Sequence, residues 1–164
     1  MKILLMRHGE AELVARNDFS RPLTDCGYAE SRQMANFLRK KSIDIQQALV
    51  SPYLRAQQTL SIIREIFPLL TNNQVNTLQA LRPGGISNQV LSYLKELDKK
   101  ITQSVIIISH LPLIEALLTE ILHKENKMIF TTSSIAYIDL NFHWLFNKVQ
   151  WQVSPREILG NPFY

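Results

Sequence analysis

Two histidines and two arginines of this 164-residue chain stand where side chains can act on a phosphoryl group. Arg7-His8-Gly9 ends the apolar run Ile3 to Met6, and Ser109-His110-Leu111-Pro112 ends a second, Val105 to Ile108. Arg55 lies one turn beyond Ser51-Pro52, just after the short apolar stretch that runs to Val50. Two guanidiniums, two imidazoles and two helix N-termini at one sheet edge suit a doubly charged tetrahedral anion. Arginine's forked donors match phosphate oxygens better than a lysine would. Phosphoryl transfer asks for an in-line nucleophile and for compensation of the charge on the equatorial oxygens. His8 answers the first need when neutral, with one ring nitrogen free and the other donating to a backbone carbonyl. Arg7 and Arg55 beside it disfavour its protonation. Arg7, Arg55 and His110 answer the second need, His110 by donating to a phosphate oxygen. Gly9 is expected to let the backbone approach the anion with no side chain in the way.

Elements that place these groups can be read from periodicity and punctuation. Residues 2–7 and 104–109 read as buried strands, because they are continuous apolar runs with no turn residue. Both deliver their histidine beyond a strand's carboxyl end, where open α/β sheets keep their ligand crevice. Gln47 to Val50 is a third strand and Gln74 to Leu78 a further one. A helix is expected from Thr24, its N-cap, to about Lys41, with Tyr28, Ser31, Ala35 and Leu38 on one face. Ser51 is expected to cap a second helix with Pro52 in its first position. That helix carries Leu54, Leu60, Ile63 and Phe67, and Pro68 ends it. Pro83-Gly84-Gly85 is a turn, Ser87 is expected to cap a helix through Leu97, and Pro112 to open one through about His123. Ser134 to Leu140 and Leu145 to Val153 alternate and read as antiparallel strands. Glu10 to Pro22 and the tail from Pro155 read as irregular. The sum is an α/β fold: a single domain over residues 1–164, its mainly parallel central sheet flanked by helices and finished by antiparallel C-terminal edge strands.

Composition excludes several classes. The chain is 46% apolar and 20% charged, which is globular rather than disordered. Its net charge of +4 is scattered, with Lys40-Lys41 and Lys99-Lys100 as the doublets, so no nucleic-acid stripe is expected. No apolar run reaches membrane-spanning length, and no signal peptide or lipidation motif is read at either end. A single cysteine, Cys26, makes no internal disulfide, and the expected compartment is the cytoplasm.

Taken in order, Arg7-His8-Gly9, Arg55 in Ser-Pro-x-x-Arg-Ala-x-Gln-Thr and His110 before a helix resemble the histidine phosphatase (phosphoglycerate mutase-like) superfamily. Arg-His-Gly by itself is a weak signal; joined to the other two motifs it is specific. The short length, Arg21-Pro22-Leu23-Thr24, Leu49-Val50-Ser51-Pro52 and Ser109-His110-Leu111-Pro112 are similar to the SixA-type phosphohistidine phosphatases, over nearly the whole chain. The resemblance implies a phosphohistidine intermediate on His8, with Arg7, Arg55 and His110 binding phosphate. It also implies a protein phosphohistidine as substrate, such as a histidine-phosphotransfer domain or a related phosphocarrier in a phosphorelay, with inorganic phosphate as product. No cofactor is expected, and no metal, since the arginines and His110 supply the charge. Larger members carry a polar residue, often Asn, about where Val14 lies, and an acidic proton donor after the third strand. Here that place reads Leu81-Arg82-Pro83-Gly84-Gly85, without a carboxylate.

Other residues carry two readings each. Arg21 is a substrate-binding candidate or a solvated loop arginine, and Arg7 a phosphate ligand or half of a core-edge ion pair. Glu10 and Glu12 are the carboxylates nearest His8 in sequence and the candidates for a proton donor. His123 and His143 have no motif and read as structural or exposed. Cys26 has no base near it and reads as a bystander. Trp144 and Trp151 read as hairpin packing. Two further functions compete with the leading one. A phosphatase of small phosphate esters needs a lid for which there is little chain. A non-catalytic phosphoprotein-binding module needs the arginines but has no use for a poised neutral imidazole.

Overall fold

In the computed structural model, which describes residues 1–99, 102–142 and 147–160, the two apolar runs lie side by side. β1 (Lys2–Arg7) and β4 (Ser104–Ser109) pair in parallel, from Lys2 with Ser104 to Arg7 with Ser109. Every residue of β4 is buried, as expected for a strand covered on both faces. β2 (Gln47–Val50) flanks β4 in parallel and β3 (Val75–Thr77) flanks β2. β5 (Ile135–Asp139) runs antiparallel against β1, and β6 (Lys148–Val153) antiparallel against β5. The order is β3-β2-β4-β1-β5-β6, the α/β sheet with an antiparallel edge that the sequence implies.

Alternation along the strands splits the core in two. Ile3, Leu5, Leu49, Val105 and Ile107 face α3 (Ser87–Lys99) and α4 (Leu113–Leu122), where Val90, Leu94, Leu117 and Leu118 are buried. Leu4, Met6, Ala48, Val50, Ile106 and Ile108 face α1 (Asp25–Lys40) and α2 (Leu54–Ile66), against Met34, Leu38, Leu60 and Ile63. Trp151 packs against Phe37 and stacks on Tyr137, with ring centroids 5.5 and 5.0 Å away; His143 and Trp144 lie outside the described residues, as does the start of the last expected strand. Among the described residues no helix is long and apolar enough to cross a membrane.

Four local expectations are corrected. α2 begins at Leu54, after Tyr53, and no side chain caps it; the Ser51 hydroxyl is instead bonded to His110. Ser87 is the first helical residue of α3, and its hydroxyl donates to Glu120 of α4 at 2.5 Å. The tail is not irregular: α5 spans Pro155–Gly160. Glu157 accepts there from both the backbone N–H and the hydroxyl of Ser154 at 2.6 Å, a capping arrangement. Tyr28 does not join the buried face of α1, which is made by Gly27, Ser31, Met34, Ala35, Phe37 and Leu38. Thr24 is the N-cap expected, accepting from Gly27 N–H at 3.0 Å.

Candidate active site

His8 and His110 are each one residue beyond the last register pair of β1 and β4, so the pairing itself brings them together. Their ring centroids are 4.8 Å apart. The backbone of His8 is held on both sides: its N–H donates to Ser109 O and its carbonyl accepts from Ser133 N–H, both at 3.1 Å. The next peptide is fixed too, Gly9 N–H donating to Thr59 Oγ1 at 3.1 Å, while the Thr59 hydroxyl donates to Arg55 O at 2.8 Å. Gly9 is also required for close packing. A Cβ there would lie 2.6 Å from Gly27 O and from Ser31 Oγ, so its absence lets this peptide close onto α1.

The ring of His8 has one consistent tautomer. Nδ1 is 2.7 Å from Gly9 O, which only accepts, so Nδ1 carries the proton. Nε2 then offers a lone pair, and it accepts from Arg55 Nε at 3.2 Å. Burial first, opposed by the hydrogen bond to Gly9 O and then assisted by Arg55, Arg7 and Arg21, holds the His8 pKa down at about 4. The arginines act in the direction the sequence suggests, with desolvation ahead of them. His110 is 2% exposed, and burial, then His8 and the arginines, push its pKa down to about 2. Ser51 Oγ accepts from Tyr53 N–H at 3.3 Å and is 2.7 Å from His110 Nε2. The hydroxyl proton is free to go to Nε2, which leaves a proton on His110 Nδ1, a buried atom with no partner.

Imidazole ¹⁵N spectra of the free protein check this directly. His8 should appear as the Nδ1–H tautomer and should not titrate between about pH 5 and 8. A His8 midpoint near the ordinary 6.5 contradicts the burial and tautomer described.

The arginines differ in their surroundings. Arg55 is 3% exposed; besides His8 it donates from Nη1 to Asp18 O at 2.7 Å and from Nη2 to Asp18 Oδ2 at 3.3 Å. Arg7 donates from Nη1 to Phe130 O at 2.8 Å, and its Nε is buried without a partner. Arg21 reaches the rim: its Nε lies 2.8 Å from Asp18 Oδ1, it bonds Glu12 O at 3.2 Å, and its charge is felt by both histidines. Asp18, which no sequence pattern marked, therefore ties Arg21 to Arg55. Glu10 accepts from the Thr24 hydroxyl at 2.8 Å. Val14 is 88% exposed and contributes no polar group. Among the described residues no three His, Cys, Asp or Glu side chains gather as a metal site.

This fold is that of a known superfamily. The chain belongs to the histidine phosphatase superfamily (branch 1), whose family model matches residues 3–82, and within it to the SixA-type members. It is 42% identical over 157 residues to phosphohistidine phosphatase SixA of Escherichia coli K12, covering 94% of each chain. It is 34% identical over 145 residues to the SixA homolog of Haemophilus influenzae, covering 84% of this chain and 87% of that one. A solved structure of the protein histidine phosphatase SixA complexed with tungstate superposes with a TM-score of 0.88 at 40% identity, over 96% of this chain and 99% of that one.

Proposed function

We propose that this protein is a phosphohistidine phosphatase that dephosphorylates a histidine-phosphotransfer domain or a phosphocarrier protein in the cytoplasm, through a covalent intermediate on His8. The observation that carries the reading is the neutral His8 imidazole, locked by Gly9 O with its lone pair turned toward Arg55. SixA of E. coli is named for that activity, and tungstate, which a SixA structure holds, is a tetrahedral oxyanion like phosphate. The substrate phosphoryl group takes the space between His8 Nε2, Arg55, Arg7 and His110, and Arg21 contacts substrate at the rim. His8 Nε2 forms the new N–P bond as the substrate's N–P bond breaks, and the electron pair leaves with the substrate imidazole. Gly9 O steadies the positive charge that His8 gains, while the guanidiniums and His110 offset charge on the phosphoryl oxygens. Water then cleaves the intermediate to inorganic phosphate.

The test is incubation with a radiolabelled phosphohistidine protein, following released phosphate, with and without excess EDTA. We expect release in both, because arginines supply the charge that Mg²⁺ brings to many phosphoryl-transfer enzymes. No release overturns the activity, and loss on chelation restored by Mg²⁺ overturns metal independence.

A further inference from the structure

Beside the phosphate-binding groups stands an aromatic pair that the chemistry so far leaves unused. Tyr53 packs edge-on against His110, ring centroids 5.3 Å apart, and Arg55 Cζ lies 5.0 Å from its centroid. Phe19 packs on Tyr53 with centroids 5.1 Å apart, yet remains 52% exposed. The loop that carries it is pinned on both sides of that residue. Asp18 O accepts from Arg55 Nη1 at 2.7 Å, and Phe19 O accepts from Leu54 N–H at 3.0 Å. An exposed aromatic ring is thus held by the same helix start that presents Arg55, and is linked through Tyr53 to His110.

We propose that Phe19, backed by Tyr53, is the seat for the imidazole ring of the substrate's phosphohistidine. This rests on the activity proposed above. In this assignment the leaving group of a phosphoryl group bound by His8, Arg55 and His110 lies along this rim. A flat aromatic leaving group, cationic when its second nitrogen is protonated, is the partner that an aromatic face takes best. Phe19 touches no reacting atom, so it sets specificity rather than catalyses.

Free phosphohistidine and phosphoramidate have the same P–N bond, and only the first has a ring. The readout is the ratio of their kcat/KM values, measured for wild type, Phe19→Ala, Phe19→Leu and Phe19→Tyr. The ratio should fall about five- to tenfold in the alanine and leucine variants and stay within about twofold of wild type in the tyrosine variant. An unchanged ratio in Phe19→Ala overturns the seat. Equal losses on both compounds do so as well, because they assign Phe19 to holding Asp18 and Arg55. A wild-type protein that hydrolyses neither compound nor a phosphohistidine protein overturns the activity itself, and the seat falls with it.

Discussion

Replacing His8 by alanine should reduce turnover of a phosphohistidine protein by about 10⁴-fold or more, the scale seen when a covalent route loses its nucleophile. No nearby group substitutes for it. His110 has one nitrogen against the Ser51 hydroxyl and the other protonated, so it has no lone pair to turn on phosphorus. Steady-state release of phosphate measures the loss, and turnover within a few-fold of wild type removes the covalent mechanism. The same variant should stay folded, because the strands and helices around the site are held by the backbone bonds and packing described. Its acid stability should differ in a definite sense. Wild-type His8 binds its proton less well folded than unfolded, so below about pH 6.5 the unfolded chain takes up the proton first. Stability is lost as pH falls from there to about 4, by roughly 3 kcal/mol for this residue. His8→Ala lacks that contribution, so denaturant midpoints of the two proteins should diverge in the variant's favour as pH falls through this window.

A second large effect concerns the leaving group. Expelling an alkoxide from a phosphoserine requires a proton at the bridging oxygen, and a positioned general acid contributes about 10²–10⁴-fold to such a step. Glu10 is bound to Thr24 at the cap of α1. Leu81 to Gly85 brings no carboxylate to the edge, and Asp18, the carboxylate that the fold does bring, is engaged by Arg21 and Arg55. Phosphohistidine needs no enzymic acid, because its ring takes a proton from solvent on the nitrogen that is not cleaved; free imidazole titrates at roughly 6.5. In matched peptides, phosphohistidine should therefore be preferred to phosphoserine by about 10²–10⁴ in kcat/KM, with aryl phosphates between. Comparable values for the two peptides would mean that a proton donor acts, and Asp18, Glu10 and Glu12 would be the residues to replace.

Much of this architecture is legible from residue order because the strands that position the histidines are continuous apolar runs. A run buried on both faces admits little but a central strand, and its end fixes where His8 and His110 sit. Arg55 follows from the same logic, one turn after β2. What escapes the sequence depends on the chain's path through space. Ser51 carries the local pattern of a helix cap, but the fold places His110 within reach of its hydroxyl, and that partner wins. Asp18 lies in a segment with no periodicity to read, and Tyr53 at a helix start; the neighbours of both are set by how residues 10–22 fold back onto the start of α2. Gly9 looks like an anion-binding glycine because the motif ends there, and the contact that also forbids a side chain comes from Gly27 and Ser31, on another element. The capping pattern at Ser154 to Glu157 was present in the sequence, and with it the short α5.

The central claim, a phosphoryl group carried on His8, is tested most directly by rapid quench. Wild-type protein is mixed with a ³²P-labelled phosphohistidine protein, stopped in base within the first turnover, and mapped. Acid-labile, base-stable label should appear on His8, rise before free phosphate and decay at the rate of phosphate release, with none on His8→Ala. Phosphate released at the full wild-type rate with no label ever on His8 would contradict it.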